Sequence, residues 1–118
     1  MMPSYDPLTH IPTGPVFTTF SVLRLVDLVD IYCAVTRHRI GDWGLVSESD
    51  GQRNDIALVT GRRLISAFQS KNGTRFWVTT EADRSKTTVL LPQDFRELSN
   101  PQKNKPSISQ AILRTIGC

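Results

Sequence analysis

The dipeptide Asn72-Gly73, set between two runs rich in β-branched and aromatic residues at 64–70 and 74–80, constrains this chain more than any other feature. A two-residue Asn-Gly connection favours a type I′ turn, because both central residues must adopt positive φ. Such a turn pairs Lys71 with Thr74, and therefore sets Phe68 opposite Trp77 and Ser66 opposite Thr79. Side chains alternate across a strand, so this register predicts a core face of Ile65, Ala67, Phe76 and Val78. The other face then carries Leu64, Phe68 and Trp77 among Ser66, Arg75, Thr79 and Glu81. A turn over 81–85 leads to a third strand at 86–91, which Pro92 stops.

Upstream the period changes. Arg24, Asp27 and Asp30 recur every three residues, while Val22, Leu25, Val26, Val29 and Cys33 fill the opposite side. That spacing is helical, with Thr18 or Thr19 as N-cap and a break into two helices near Asp30. Ser49 and Gln52 have capping-box spacing, Gln52, Ile56 and Val59 fall on one helical stripe, and Gly61 suits a C-cap. These predict a second helix over 49–60. Residues 1–15 hold Pro3, Pro7, Pro12, Gly14 and Pro15 and read as a flexible lead-in, followed by a short edge strand at 16–18. After Phe95 the chain turns polar, and Ser107 with Gln110 allows a short helix over 111–116. The expected architecture is α+β: one domain over 16–98, N-terminal helices packed on a C-terminal antiparallel β-meander of three or four strands, then a polar tail over 99–118.

With 118 residues, 39% of them hydrophobic and 21% charged, the chain can bury one core and is not of disordered composition. The net charge of +3 permits a nucleic-acid partner, although such a charge is more often solubility alone. Two cysteines, Cys33 and Cys118, form no disulfide framework and suit a reducing cytoplasm. His10, His38, Cys33 and Cys118 lack the spacing of a zinc site, so neither metal nor cofactor is expected. Arg24, Asp27 and Asp30 interrupt the longest apolar stretch, which excludes it as a membrane span, and the N-terminus lacks the pattern of a signal peptide. A cytoplasmic protein is expected. No phosphate-binding glycine loop, nucleophile elbow or histidine–metal motif occurs.

Three clusters carry chemistry. Glu81-Ala82-Asp83-Arg84-Ser85 places two carboxylates and a guanidinium in one turn, suited to acid–base work or to a phosphate, or simply to bonding the turn's own backbone. In Arg37-His38-Arg39, two cations would hold an imidazole neutral, as a general base requires, yet the same triplet complements a helix C-terminus. Trp43, bracketed by Gly41 and Gly44, is either a partner's anchor or a plug beneath a loop. If the second hairpin face is open, Arg75, Trp77, Glu81, Asp83 and Arg84 form a binding patch for a protein or for stacked bases.

Over residues 37–95 the chain resembles a group of small bacterial proteins carried on plasmids, prophages and other mobile elements. The likeness rests on GDWG at 41–44, Asn54-Asp55, Ala57-Leu58, Gly61, Arg63, Ser66, Gly73, Trp77, TEADRS at 80–85, Thr87-Thr88 and Leu90-Leu91-Pro92. Val46, Ser47 and Ser49 depart from the more acidic stretch of that group, as does the long basic tail. Members are labelled plasmid-related or as restriction-system subunits; the resemblance implies a context and no reaction. The expected order of strand, helices and meander is also similar to that of the RelE/ParE-type toxins, some of which cut messenger RNA. That likeness implies ribonuclease contacts at His38, Glu81 and Arg84, with Arg75 beside them. The leading expectation is a non-enzymatic accessory protein of a mobile element that binds a protein or nucleic-acid partner, and a ribonuclease toxin is the alternative.

Overall fold

A computed structural model describes residues 10–98 and 108–109. The elements run β1 (Val16–Thr19), α1 (Phe20–Leu25), α2 (Leu28–Arg39), α3 (Glu48–Thr60), β2 (Leu64–Gln69), β3 (Arg75–Thr80), β4 (Thr87–Leu90), α4 (Pro92–Leu98) and β5 (Ile108–Ser109). The strands form one sheet in the order β2-β3-β4-β1-β5. The class is α+β, but the expected arrangement of N-terminal helices on a C-terminal antiparallel meander is wrong. β2, β3 and β4 do make a meander, while β1, which precedes every helix, lies parallel to β4 with Val16 opposite Thr87. The sheet is therefore mixed, and the helices form the crossover between its first and second strands. Nor is β1 an edge, because β5 pairs antiparallel on its far side. Pro15 lacks an N–H but still supplies the carbonyl that accepts from the Thr87 N–H at 3.0 Å, so pairing starts as soon as the proline is passed.

Helix boundaries follow local chemistry. The Thr19 hydroxyl accepts from the Val22 N–H and caps α1. Extended backbone at Val26 ends that helix, and α2 begins after Asp27, three residues before the expected break. Asp30 is instead used to hold the hairpin, accepting from the Lys71 N–H at 3.0 Å. Ser47, not Ser49, caps α3, and Gly61 closes it in the left-handed region. Ile56 and Val59, expected on the packed stripe, are exposed, and Asn54 and Ala57 face inward instead.

The hairpin register is shifted by one residue from expectation. Phe68 lies opposite Phe76, Ala67 opposite Trp77 and Ser66 opposite Val78. The loop has three residues. Gly73 donates to the Ser70 carbonyl, Ser70 donates to the Thr74 carbonyl, and Gly73 alone takes positive φ, +90°. This is a type I turn followed by a left-handed glycine. Asn72 avoids positive φ because its side chain is engaged elsewhere: Nδ2 donates to the Leu25 carbonyl at the end of α1 (2.9 Å), and Oδ1 accepts from the Ser70 hydroxyl. One residue of slip moves every side chain of β2 to the other face relative to β3, so that Phe76 and Val78 keep the core face while Ile65 and Ala67 leave it. Phe68 and Trp77 are thus on opposite faces, and the core face is Leu64, Ser66, Phe68, Phe76, Val78 and Thr80.

That face packs against α1 and α2 through Val22, Val26, Ile31, Ala34 and Val35. A second cluster gathers Ile11, Trp43, Ala57 and Leu64. Ile11 is buried and its N–H donates to the Arg39 carbonyl at 2.7 Å, so the lead-in joins the domain from there onward. Each fully buried Leu, Ile, Val or Phe of these clusters stabilises the fold by roughly 1.5–3 kcal/mol. The outer edge of β2 is closed. Ala67 donates to the Trp43 carbonyl and accepts from the Leu45 N–H, and the Asn54 amide pairs with both the N–H and the C=O of Ile65. Gly44 makes this possible, since a Cβ there would stand 2.1 Å from the Ala67 oxygen. No helix among the described residues is long and apolar enough to cross a membrane. Cys33 in α2 is disulfide-bonded, contrary to the reading of the two cysteines as thiols of a reducing compartment. The helix expected at 111–116 lies outside the described residues.

Candidate functional site

The residues singled out from the sequence fall in three places. His38 lies in the core with no exposed surface, at the end of α2 but turned inward onto the sheet. Its Nδ1 is 2.5 Å from the Ser66 hydroxyl and its Nε2 is 2.8 Å from the Thr80 hydroxyl. The proton order follows from the far end of this chain. Thr87 donates its only hydroxyl proton to the Thr13 carbonyl (2.9 Å), so between Thr87 and Thr80, 2.7 Å apart, Thr80 is the donor. Thr80 then has no proton left for the ring, Nε2–H donates to it, and Nδ1 accepts from Ser66. The imidazole is held neutral in one tautomer. Burial, and after it the charge of Arg84, pushes its pKa from the ordinary 6.5 down to about 4. Trp43 stacks edge-on against this ring at 5.6 Å, donates Nε1–H to Asp55 at 3.0 Å, and is the plug beneath its loop.

The 81–85 turn is the second place. Arg84 has φ +62°, the one positive φ of a non-glycine among the described residues. Its guanidinium donates to four carbonyls, those of Arg62 (2.7 Å), Glu81 (3.1 Å), Ala57 (3.2 Å) and Ala82 (3.3 Å), so it ties the end of α3 to its own turn. Asp83 accepts from the Ser85 N–H at 3.0 Å, and hydrogen bonds from the Ser85 hydroxyl and then its N–H hold the Asp83 carboxyl below its usual range. Both side chains serve the turn. His38, Glu81 and Arg84 are not gathered around one open cleft: the imidazole has no solvent access and the guanidinium is turned onto backbone carbonyls of α3, its end and its own turn.

The third place is the second sheet face. Its β4 half is covered by α4, where Leu90, Thr79 and Thr88 are buried and Phe95 meets Trp77 edge-on at 5.4 Å. Its β2–β3 half is open, with Ile65, Ala67, Arg75 and Trp77 at the floor of a groove of about 380 Å³. One wall is the Leu45-Val46-Ser47 segment and the first half of α3, which contributes Asp50 and Arg53; Arg63 closes one end. Arg53 is 81% exposed and only 3.8 Å from Asp50, a weak solvated pair. Arg63 donates to Glu81 at 3.3 Å and lies over the Phe95 ring. Arg75 is exposed, and its side chain has no hydrogen bond or ion pair with any described residue. Three guanidiniums against one carboxylate, in one lining with a half-buried indole, form an electropositive aromatic groove.

Of the expected patch, Arg75 and Trp77 line this groove, Glu81 reaches it through Arg63, and Asp83 and Arg84 stand apart from its lining. Arg53 and Arg63 escape sequence reasoning because they lie on a helix and a connector that meet the sheet only after folding. A weak signal exists for Arg53: it lies one helical turn before Ala57, at the border of the packed side of α3. Among the described residues no group of three His, Cys, Asp or Glu side chains could hold a metal ion. No protein-family model, curated protein or solved structure matches the chain.

Proposed function

We propose that the protein is a non-enzymatic binding module that takes a macromolecular partner in the β2–β3 groove. The observation that carries this reading is the open face itself: Arg53, Arg63 and Arg75 line one groove with Trp77, and the Arg75 side chain is unengaged by any described residue. Exposed guanidiniums beside an aromatic ring are the usual composition of an interface centre. The accessory role on a mobile element rests on the resemblance of residues 37–95 alone. A cytoplasmic setting belongs to the same proposal, and the Cys33 disulfide counts against it. The ribonuclease alternative loses its base, because a fully buried His38 whose nitrogens are both bonded cannot reach a ribose hydroxyl.

The test is affinity capture from a bacterial lysate, with and without nuclease, comparing wild type with R53A/R75A. A partner recovered by wild type and lost with the double variant is the expected result, with unchanged thermal stability. Growth arrest on expression that His38→Ala relieves would overturn the reading in favour of the toxin.

A further inference from the structure

The geometry points to single-stranded nucleic acid as the occupant of this groove, an inference that rests on the binding role proposed above. Charge is the first ground. Arg53, Arg63 and Arg75 outnumber the single lining carboxylate, Asp50, and the whole chain carries +3. A guanidinium matches a phosphate in a planar fork and also stacks on a base, which an ammonium does not. The floor is the second ground. Trp77 is braced from one side by Phe95 and half-buried, so its remaining surface is an apolar platform that is ordered before any ligand arrives. Stacking on such a platform tolerates every base, because every base has a π-face.

The closed sheet edge argues against a peptide. Extended peptides gain affinity by adding a strand to an open edge. Here the outward groups of β2 are already used, those of Ala67 by Trp43 and Leu45 and those of Ile65 by Asn54. The groove, of about 380 Å³, falls in the size range of sites that take a small ligand or a single group of a larger one. In the arrangement inferred, Arg75 and Arg53 take phosphates on either side of a base laid on Trp77, and Arg63 holds the end of the groove through its pair with Glu81.

Trp77 supplies the readout. Trp43 is buried and bonded to Asp55, so quenching by a bound base reports Trp77. Titration of the full chain with short oligo-dT and oligo-U should quench this emission. Affinity should fall with salt, and the slope of log K against log [salt] should shrink by about 0.7 for each phosphate contact removed by Arg75→Ala or Arg53→Ala. Trp77→Leu, which removes the reporter and is followed instead by the fluorescence anisotropy of an end-labelled oligonucleotide, should weaken binding by about tenfold or more, and a blunt duplex of equal length should bind worse than the single strand. Thermal melts of each variant identify any that fail to fold, and Arg75→Ala, fully at the surface, keeps the test valid if Trp77→Leu does not. Absence of quenching, an unchanged salt slope in Arg75→Ala, or equal binding of duplex would overturn the inference. If oligonucleotides fail while a nuclease-resistant protein is still captured through Arg53 and Arg75, the occupant is a protein and only this inference falls. If capture too ignores those arginines, the binding-groove reading falls with it.

Discussion

Arg84 does the work of a cap for an element that ends more than twenty residues before it. The Ala57 carbonyl in the last turn of α3 already accepts from the Gly61 and Arg62 N–H groups, and Arg84 adds a further N–H to it and bonds the Arg62 carbonyl just past the end. It also bonds the carbonyls of Glu81 and Ala82, which explains why a non-glycine tolerates φ +62° there. Arg84→Ala should therefore destabilise the fold by about 0.5–1.5 kcal/mol in urea denaturation, the net worth of a typical hydrogen bond, and Arg84→Lys should recover little of it. An unchanged midpoint would mean that water replaces the guanidinium and that the residue is available for a partner. The polar groups of residues 81–85 were legible as a turn whose side chains bond its own backbone, as Asp83 does with Ser85, but the reach of Arg84 to α3 was not. Which carbonyl a long side chain can reach depends on how α3 is set beside the turn, and no local spacing encodes that. Trp43 was legible in kind, since an aromatic bracketed by glycines reads as a loop plug, whereas its bond to Asp55 and its contact with His38 are products of the fold.

At the scale of elements, the existence of β2, β3 and β4 and the N-cap of α1 could be read directly, because alternation, the Asn-Gly signal and a threonine before an apolar run are local. The register could not. Asn-Gly suits either a two-residue turn or a type I turn with a left-handed glycine, and the choice was made by Asn72 capping the Leu25 carbonyl of α1 and by Asp30 holding Lys71. The parallel return of β1 beside β4 was hidden for a similar reason: four residues after a proline say nothing about which strand they will meet. The slip left Trp77 and Arg75 on the second face, where the expected register already had them, but exchanged Leu64 and Phe68 there for Ile65 and Ala67, which form the floor of the groove beside them. The register predicts a pattern of couplings. Phe68→Ala and Phe76→Ala should each cost about 3–5 kcal/mol, as for other buried phenylalanines, and their double-mutant cycle should show coupling of about 0.5 kcal/mol or more. Phe68 and Trp77, on opposite faces, should combine additively within about 0.5 kcal/mol. Strong coupling between Phe68 and Trp77 would restore the two-residue turn.

The whole molecule is tied together by the polar chain through His38. That chain joins α2 to β2 at Ser66, to β3 at Thr80, to β4 at Thr87 and to the N-terminal segment at Thr13. Every proton in it is committed, so a second proton on the ring has to land on Nδ1, where it turns Ser66 from donor to acceptor and puts a charge in the core beside Arg84. The folded state therefore resists protonation down to about pH 4, while the unfolded histidine takes its proton near 6.5. Between those values the unfolded chain binds more protons, so stability is full above about pH 6.5, falls as pH falls, and has lost this contribution below about pH 4. The gap of about 2.5 pH units corresponds to about 3 kcal/mol. Asp42, whose carboxyl is held low first by its hydrogen bond from Arg37, adds its own loss only at the acid end of that window or beyond it. Urea denaturation at half-unit steps from pH 7.5 to 4 should trace this decline in the wild type. His38→Gln should start less stable at pH 7 and stay nearly level down to pH 5, because nothing in its core then takes up a proton. A variant that declines as steeply as the wild type would place the acid sensitivity elsewhere and leave His38 as packing alone.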